Sequence, residues 1–340
     1  MSADAPNPAL IFETLNAFQR SSALRGAIEL GVFTAIARGH ATAQEIAAEC
    51  SADPRAMRIL CDYLTVIGFL SKNDHRYGVT PTAALFLNHE SPHYLGGMAR
   101  FIHSEHLVEA FRDVGALVRR GSTLLAEQGT VTSEYEGWVE FARHMAPMMR
   151  GPAQFLGELA VERFAGVDRP LRVLDVAAGH GLFGITVAQR LPQASVVALD
   201  WGKVLAVADE NARAAQISDR YQLLPGDALQ IEYGQDFDLV LLTNFLHHFD
   251  RATCIDIMRR ASACLRPDGV VFTLEFVPNA DRVTPPAAAT FSFTMLGTTP
   301  AGDAYTFDEY ADMWRAVDFQ HHTLLDVPQS AQRVIVSKRQ

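Results

Sequence analysis

The sequence predicts a two-part α/β protein, in which a doubly wound sheet follows a helical domain of winged-helix pattern. Three observations carry that expectation. Apolar residues recur at helical spacing from Pro8 to about Gly151. The period then changes to short apolar strands alternating with helical stretches. Between the first of these strands and its helix lies a G-x-G-x-x-G turn at Gly179, Gly181 and Gly184, which makes the sheet Rossmann-like. The period change sets the expected domains at 1–152 and 153–340.

In chain order, "LIFETLNAFQRSSALRGAIELGVFTAI" places Leu15, Phe18, Ala27, Ile28 and Val32 on one expected buried face. "ATAQEIAAECSADPRAMRILCDYLTVIGFL" reads as a helix, a turn at Ser51 to Pro54, and a second helix that stops at Gly68. "LSKNDHRYGVT" adds two extended pieces around an Asn-Asp turn, which completes helix, turn, helix and wing. The expected strands of the second half are "LRVLDVA", "SVVALDW", "YQLLPGD", "FDLVLLT" and "VVFTLEFV", whose nearly continuous apolar runs suit a parallel sheet covered on both faces. "TFDEYADMWRAVD" is a helix, and "FQHHTLLDV" and "QRVIVSK" are antiparallel additions at the edge.

The glycine turn alone suits a dinucleotide, but the strand before it carries Asp175, four residues ahead of Gly179. A carboxylate there opposes a phosphate and suits a ligand with an ammonium group, so the expected cofactor is S-adenosylmethionine (SAM) rather than NAD. Asp200, at the end of the second strand, is positioned for both ribose hydroxyls, a role the two cofactor classes share. Trp201, Asp227 and Ala228 follow strands two and three and are expected beside the adenine; Thr243, ending strand four, completes the cofactor edge.

At these residues the sequence resembles the caffeate and hydroxyindole type of small-molecule O-methyltransferase over almost its whole length, so the sheet is expected to be a methyltransferase sheet. "LDVAAGHG" and "ALDW" are similar to that family's cofactor loop and ribose acid, "NFLHHFD" to its catalytic segment, and "TLEFVP" to the strand that orients the base. The resemblance implies His247 as general base, Glu275 as its orienting carboxylate, a small-molecule acceptor and a homodimer built on the N-terminal domain, with Leu10 to Ile36 at the interface. It also implies a pocket wall from Phe141, His144, Met145, Met148 and Met149, faced by Met295 and the aromatics of "FSFTML". One departure stands out: Ala304 occupies the place of a second family glutamate, with Asp303 adjacent, so C- or N-methylation stays open beside O-methylation. His248 is expected to face away from His247, and Asp250 to cap the next helix.

Composition narrows the alternatives. A formal charge of −10 repels nucleic acid and anionic membranes. The winged pattern raises a DNA-binding regulator as a rival, but residues 53 to 67 balance Arg55 and Arg58 with Asp53 and Asp62 and are otherwise apolar. The four cysteines lack zinc or disulfide spacing, and His103-x-x-His106 lacks a third ligand, so no metal is expected. The first ten residues carry no targeting pattern, and a cytoplasmic location is expected.

Overall fold

A computed structural model describes residues 7–339; most of the N-terminal stretch examined for targeting lies outside them. The chain divides into two compact units, Met1–Ser104 and Glu105–Gln340. The expected division at residue 152 instead falls inside the continuous 27-residue helix Gly137–Arg163. The reason is packing: Met149, Ala153, Leu156 and Ala160 of that helix join the core beneath the sheet, although no strand has yet begun. Periodicity marks where strands start, not where a core ends.

In the first unit, Thr42 and Glu45 form a reciprocal capping box at helix Ala43–Glu49. Asp53 accepts from the Ala56 N–H at 2.8 Å and Pro54 starts helix Pro54–Val66. Gly68, at φ +88°, turns the chain into β1 (Leu70–Asn73), which pairs antiparallel with β2 (Arg76–Val79). Met57, Cys61 and Leu64 bury the inner face of helix Pro54–Val66, while Arg58 pairs with Asp62 at 2.8 Å. That pairing takes up one of the two cations a DNA-reading helix would offer. The expected face of the leading helices is only half buried: Ala27, Ile28 and Val32 are covered, but Leu15 and Phe18 are 67% and 65% exposed. Leu10, Ile11 and Phe12 are exposed with them, so helix Ala9–Leu15 and the start of helix Ala17–Leu30 carry uncovered apolar side chains.

The second unit carries a seven-stranded sheet. Its strands are β3 (Leu171–Val176), β4 (Ala194–Asp200), β5 (Tyr221–Pro225), β6 (Phe237–Thr243), β7 (Leu265–Glu275), β8 (His321–Asp326) and β9 (Arg333–Lys338), in the spatial order β5-β4-β3-β6-β7-β9-β8. The first five of that order run parallel, and β9 pairs antiparallel with both β7 and β8, so it alone runs against the rest. The chain moves outward from β3 to β5 and then crosses back to β6, so the switch point lies between β3 and β6. Ligands of such sheets bind outside the carboxyl ends at that point. Every residue of β6 is buried because alternate side chains serve two cores: Leu239 and Leu241 one face, Val240 and Leu242 the other.

Candidate active site

Two sets of buried carboxylates stand at the carboxyl ends of the central strands. At the first, the loop after β3 holds Ala177, Gly179 and Gly181 in the left-handed region. Gly181 is required there: at φ +74°, an added Cβ would also lie 2.5 Å from the Tyr221 hydroxyl. Gly179, at φ +57°, has only the Ala177 carbonyl oxygen, at 3.9 Å, within 4 Å of its Cβ side, so this stretch of backbone is nearly bare. Asp200, half-buried at the end of β4, accepts the Gly179 N–H at 2.8 Å and the Trp201 N–H at 2.7 Å. Burial pushes its carboxyl up to about 6 against those two donors, which lower it.

Asp175 is placed differently from the sequence expectation. It is fully buried, and its Oδ2 accepts the Gly184 N–H at 2.9 Å, beneath the loop and at the start of helix Leu182–Arg190. Burial pushes it up to about 8. A carboxylate with no exposed surface does not meet an ammonium group directly. Asp175 supports the loop instead, because the close approach of Gly184 to the strand covers it. Trp201 caps helix Gly202–Ala214 and packs with Val204, Val207 and Ala142. Asp227 is half-buried and accepts from the Leu229 N–H at 2.8 Å, Ala228 is buried beside it, and Thr243 is buried at the end of β6. His180, within the loop, accepts the Leu182 N–H on Nδ1 at 3.1 Å, and burial pushes its imidazole down to about 4.

The second set is built on β6 and β7. Glu275, fully buried at the end of β7, receives the Phe245 and Leu246 N–H groups on Oε1 at 2.9 and 2.8 Å. Its Oε2 meets Nδ1 of His247 at 2.5 Å. In the tautomer that donates from Nδ1 to this carboxylate, Nε2 carries the free lone pair. Nε2 has no hydrogen-bond partner among the described residues. Phe291 packs edge-on to the His247 ring at 4.8 Å and stacks on Phe276 at 3.9 Å, walling the imidazole with apolar rings. His248 does not face away: a 3₁₀ turn, Leu246–His248, replaces strand alternation and brings the two imidazole centroids to 4.3 Å. Burial and the neighbouring His247 push His248 well below its usual value. Asp250 accepts the Thr253 N–H at 2.8 Å as the N-cap of helix Arg251–Cys264.

Comparison with known proteins now bears on this geometry. A crystal structure from Nostoc punctiforme, assigned as an O-methyltransferase, superposes with a TM-score of 0.92 at 46% identity over 98% of this chain and 99% of its own. The chain belongs to the O-methyltransferase family. Models of the O-methyltransferase dimerisation domain and of a methyltransferase domain match residues 12–89 and 173–269. The 3-hydroxy-5-methyl-1-naphthoate 3-O-methyltransferase of Streptomyces sahachiroi is 28% identical over 91% of this chain and 88% of its own. Human N-acetylserotonin methyltransferase, solved in complex with SAM, shares the fold at a TM-score of 0.83 and 18% identity over 100% of this chain and 99% of its own.

This methyltransferase is therefore SAM-dependent, and its first set of groups fits that cofactor. A carboxylate held by only two N–H donors keeps lone pairs for a diol, and the nearly bare Gly179 backbone admits close approach.

The expected pocket residues divide. Phe141, His144 and Met145 are half-buried on helix Gly137–Arg163, with His144 3.1 Å from Glu140, and Met295 is buried on helix Phe291–Thr298. Met148 is 44% exposed and points outward, while Met149 turns in and its sulfur meets Asn244 Nδ2 at 3.7 Å. Adjacent helical positions lie about 100° apart, so only one of the two Met residues can face the core. Of the "FSFTML" aromatics, Phe291 faces His247 and Phe293 is 48% exposed.

Ala304 is buried, and Asp303 does not replace a second carboxylate: it pairs with Arg282 at 3.1 Å, while its N–H donates to the His247 carbonyl. His103 and His106 do not share a helix, since Met98–Ile102 ends at His103 and a new helix begins at Glu105. Phe276, Asn244 and Gln332 were not singled out from the sequence. Only proximity to the "TLEF" and "TNFLHH" segments could have signalled the first two, and nothing signalled Gln332.

Proposed function

We propose that the enzyme transfers a methyl group to a hydroxyl of a small aromatic acceptor, with His247 as general base. The observation that carries this reading is the 2.5 Å contact between His247 Nδ1 and the buried Glu275. When bound, SAM supplies an electrophilic methyl group on a positively charged sulfur. The protein's own residues do the rest. Asp200 accepts the ribose hydroxyls, Trp201 and Asp227 flank the adenine, and the apolar rings of Phe276 and Phe291 exclude water around the base. His247 Nε2 takes the acceptor's proton while Glu275 supports the imidazolium that forms. An isolated phenol near pKa ~10 would not yield its proton to an imidazole near ~6.5, so the transfer relies on the adjacent positive charge.

The relative from Streptomyces sahachiroi acts on a hydroxynaphthoate, which supports an aromatic hydroxyl here. Ala304 leaves a single carboxylate on the base, and that suffices to hold Nδ1. The test is turnover with SAM across a panel of phenols, amines and carbon nucleophiles, with the methylated atom located by mass spectrometry and NMR. Methylation confined to nitrogen or carbon would replace this reading.

We also propose a homodimer through the exposed Leu10, Ile11, Phe12, Leu15 and Phe18, which the dimerisation-domain match supports. Light scattering should give twice the 37.3 kDa chain mass at micromolar concentration; a monomer would exclude it. No helix among the described residues is long and apolar enough to cross a membrane. A cytoplasmic location is proposed from the four unpaired cysteines, which suit a reducing compartment.

A further inference from the structure

Two neighbouring residues at the start of β9 reach over the strand ends that carry His247 and Glu275. Arg333 donates from Nη1 to the Val277 carbonyl at 3.1 Å and to Asn279 Oδ1 at 2.8 Å, just beyond β7. Gln332, 2% exposed, donates from Nε2 to Oδ1 of Asn244, just beyond β6. Asn244 is left-handed, at φ +54°, and its N–H donates to the Leu274 carbonyl at 2.8 Å. The next two N–H groups go to Glu275, and the side chain after them is His247.

The chain therefore leaves β6 through one left-handed residue and reaches His247 within three positions. Asparagine tolerates this conformation better than other non-glycine residues, and its surroundings decide whether it is kept. Backbone bonds tie the segment to β7, and the Gln332 amide ties down the Asn244 side chain. The Nε2 bond to Asn244 is the hydrogen bond that fixes the amide, and its Oε1 has no partner among the described residues. We propose that Gln332 is a positioning residue for methyl transfer, clamping Asn244 so that the left-handed turn delivers the His247 imidazole to its place against Glu275.

This rests on His247 as the base, and the test separates the two ideas. Full-length Gln332→Met and Gln332→Ala are compared with wild type for kcat and acceptor KM, SAM affinity by calorimetry, thermal midpoint, and the His247 Nδ1 proton resonance in ¹⁵N-histidine-labelled protein. The expected result is a fall in kcat of about 10- to 100-fold, as for a misplaced catalytic group, with SAM affinity and KM within about twofold. The Nδ1 resonance should move or broaden. In an Asn244→Gly background, where glycine adopts the turn without a clamp, Gln332→Met should change kcat by less than about twofold.

Three results would overturn the proposal: wild-type kcat in both Gln332 variants, an unchanged Nδ1 resonance, or an undiminished Gln332→Met effect in the glycine background. If Gln332→Ala does not fold, Gln332→Met and the glycine background decide. If His247→Ala retains turnover, the base reading fails, and the Nδ1 resonance still decides the clamp.

Discussion

The two carboxylate sets at the strand ends differ in how completely the protein satisfies them. Glu275 takes three donors from its own chain, two backbone N–H groups and one imidazole. Asp200 takes two, and burial leaves it raised to about 6. Asp175 takes one, keeps an oxygen with no partner, and is raised to about 8. A saturated carboxylate serves as a fixed part, able to orient a base without drifting. An under-supplied carboxylate with an exposed edge is a site for an incoming donor, whereas one with no exposed edge carries an electrostatic load. The difference separates machinery that is complete before the ligand arrives from machinery that the ligand completes.

The largest expected effect falls on the saturated set. His247→Ala should lower kcat by roughly 10²–10⁴ while leaving SAM affinity within a few-fold, measured by turnover and calorimetry. Turnover within a few-fold of wild type would mean that the acceptor loses its proton without help. Glu275→Gln should lower kcat by about 10- to 100-fold and also lower the thermal midpoint. The amide either turns a donor toward the Nδ1 proton, which then loses its acceptor, or, flipped, takes the acceptor from both the Phe245 and the Leu246 N–H groups. A wild-type midpoint in that variant would contradict the fixed-part assignment.

The under-supplied set should respond in binding rather than in the chemical step. Asp200→Ala removes a charged acceptor, which at about 1.5–3 kcal/mol per hydrogen bond weakens SAM binding at least tenfold by calorimetry. The same group makes affinity pH-dependent. If Asp200 holds the diol as proposed, its ionised form is the acceptor, so affinity should fall as pH drops through about 6, and the Asp200→Ala variant should lack that fall.

Asp175 has the opposite sign in stability. Its folded value lies above its unfolded one, so its contribution is full below pH about 4 and is lost as pH rises through about 8. The thermal midpoint of Asp175→Asn, relative to wild type, should therefore climb between those limits; a flat difference would show that Asp175 is not held in its raised state. The smallest effect belongs to the exposed pocket candidate. Met148→Ala should change stability by less than about 0.5 kcal/mol, against about 2–5 kcal/mol for Met149→Ala, in denaturant unfolding.

What the sequence determined by itself was local. β6 coincides with "FDLVLLT" residue for residue, and Asp250 caps the helix it precedes, because strand burial and capping depend on neighbours within a few positions. The order of Asp175, Gly179, Asp200, His247 and Glu275 along the chain was legible too, since a doubly wound sheet brings successive strand ends to one edge.

Orientation was not legible. That Asp175 lies under its loop, that Met149 rather than Met148 turns inward, and that Leu15 and Phe18 stay exposed all depend on which surfaces meet across long sequence separations. Gln332 shows this most clearly. It lies 88 residues from Asn244, and only the antiparallel return of β9 beside β7 brings its amide to the turn that carries His247.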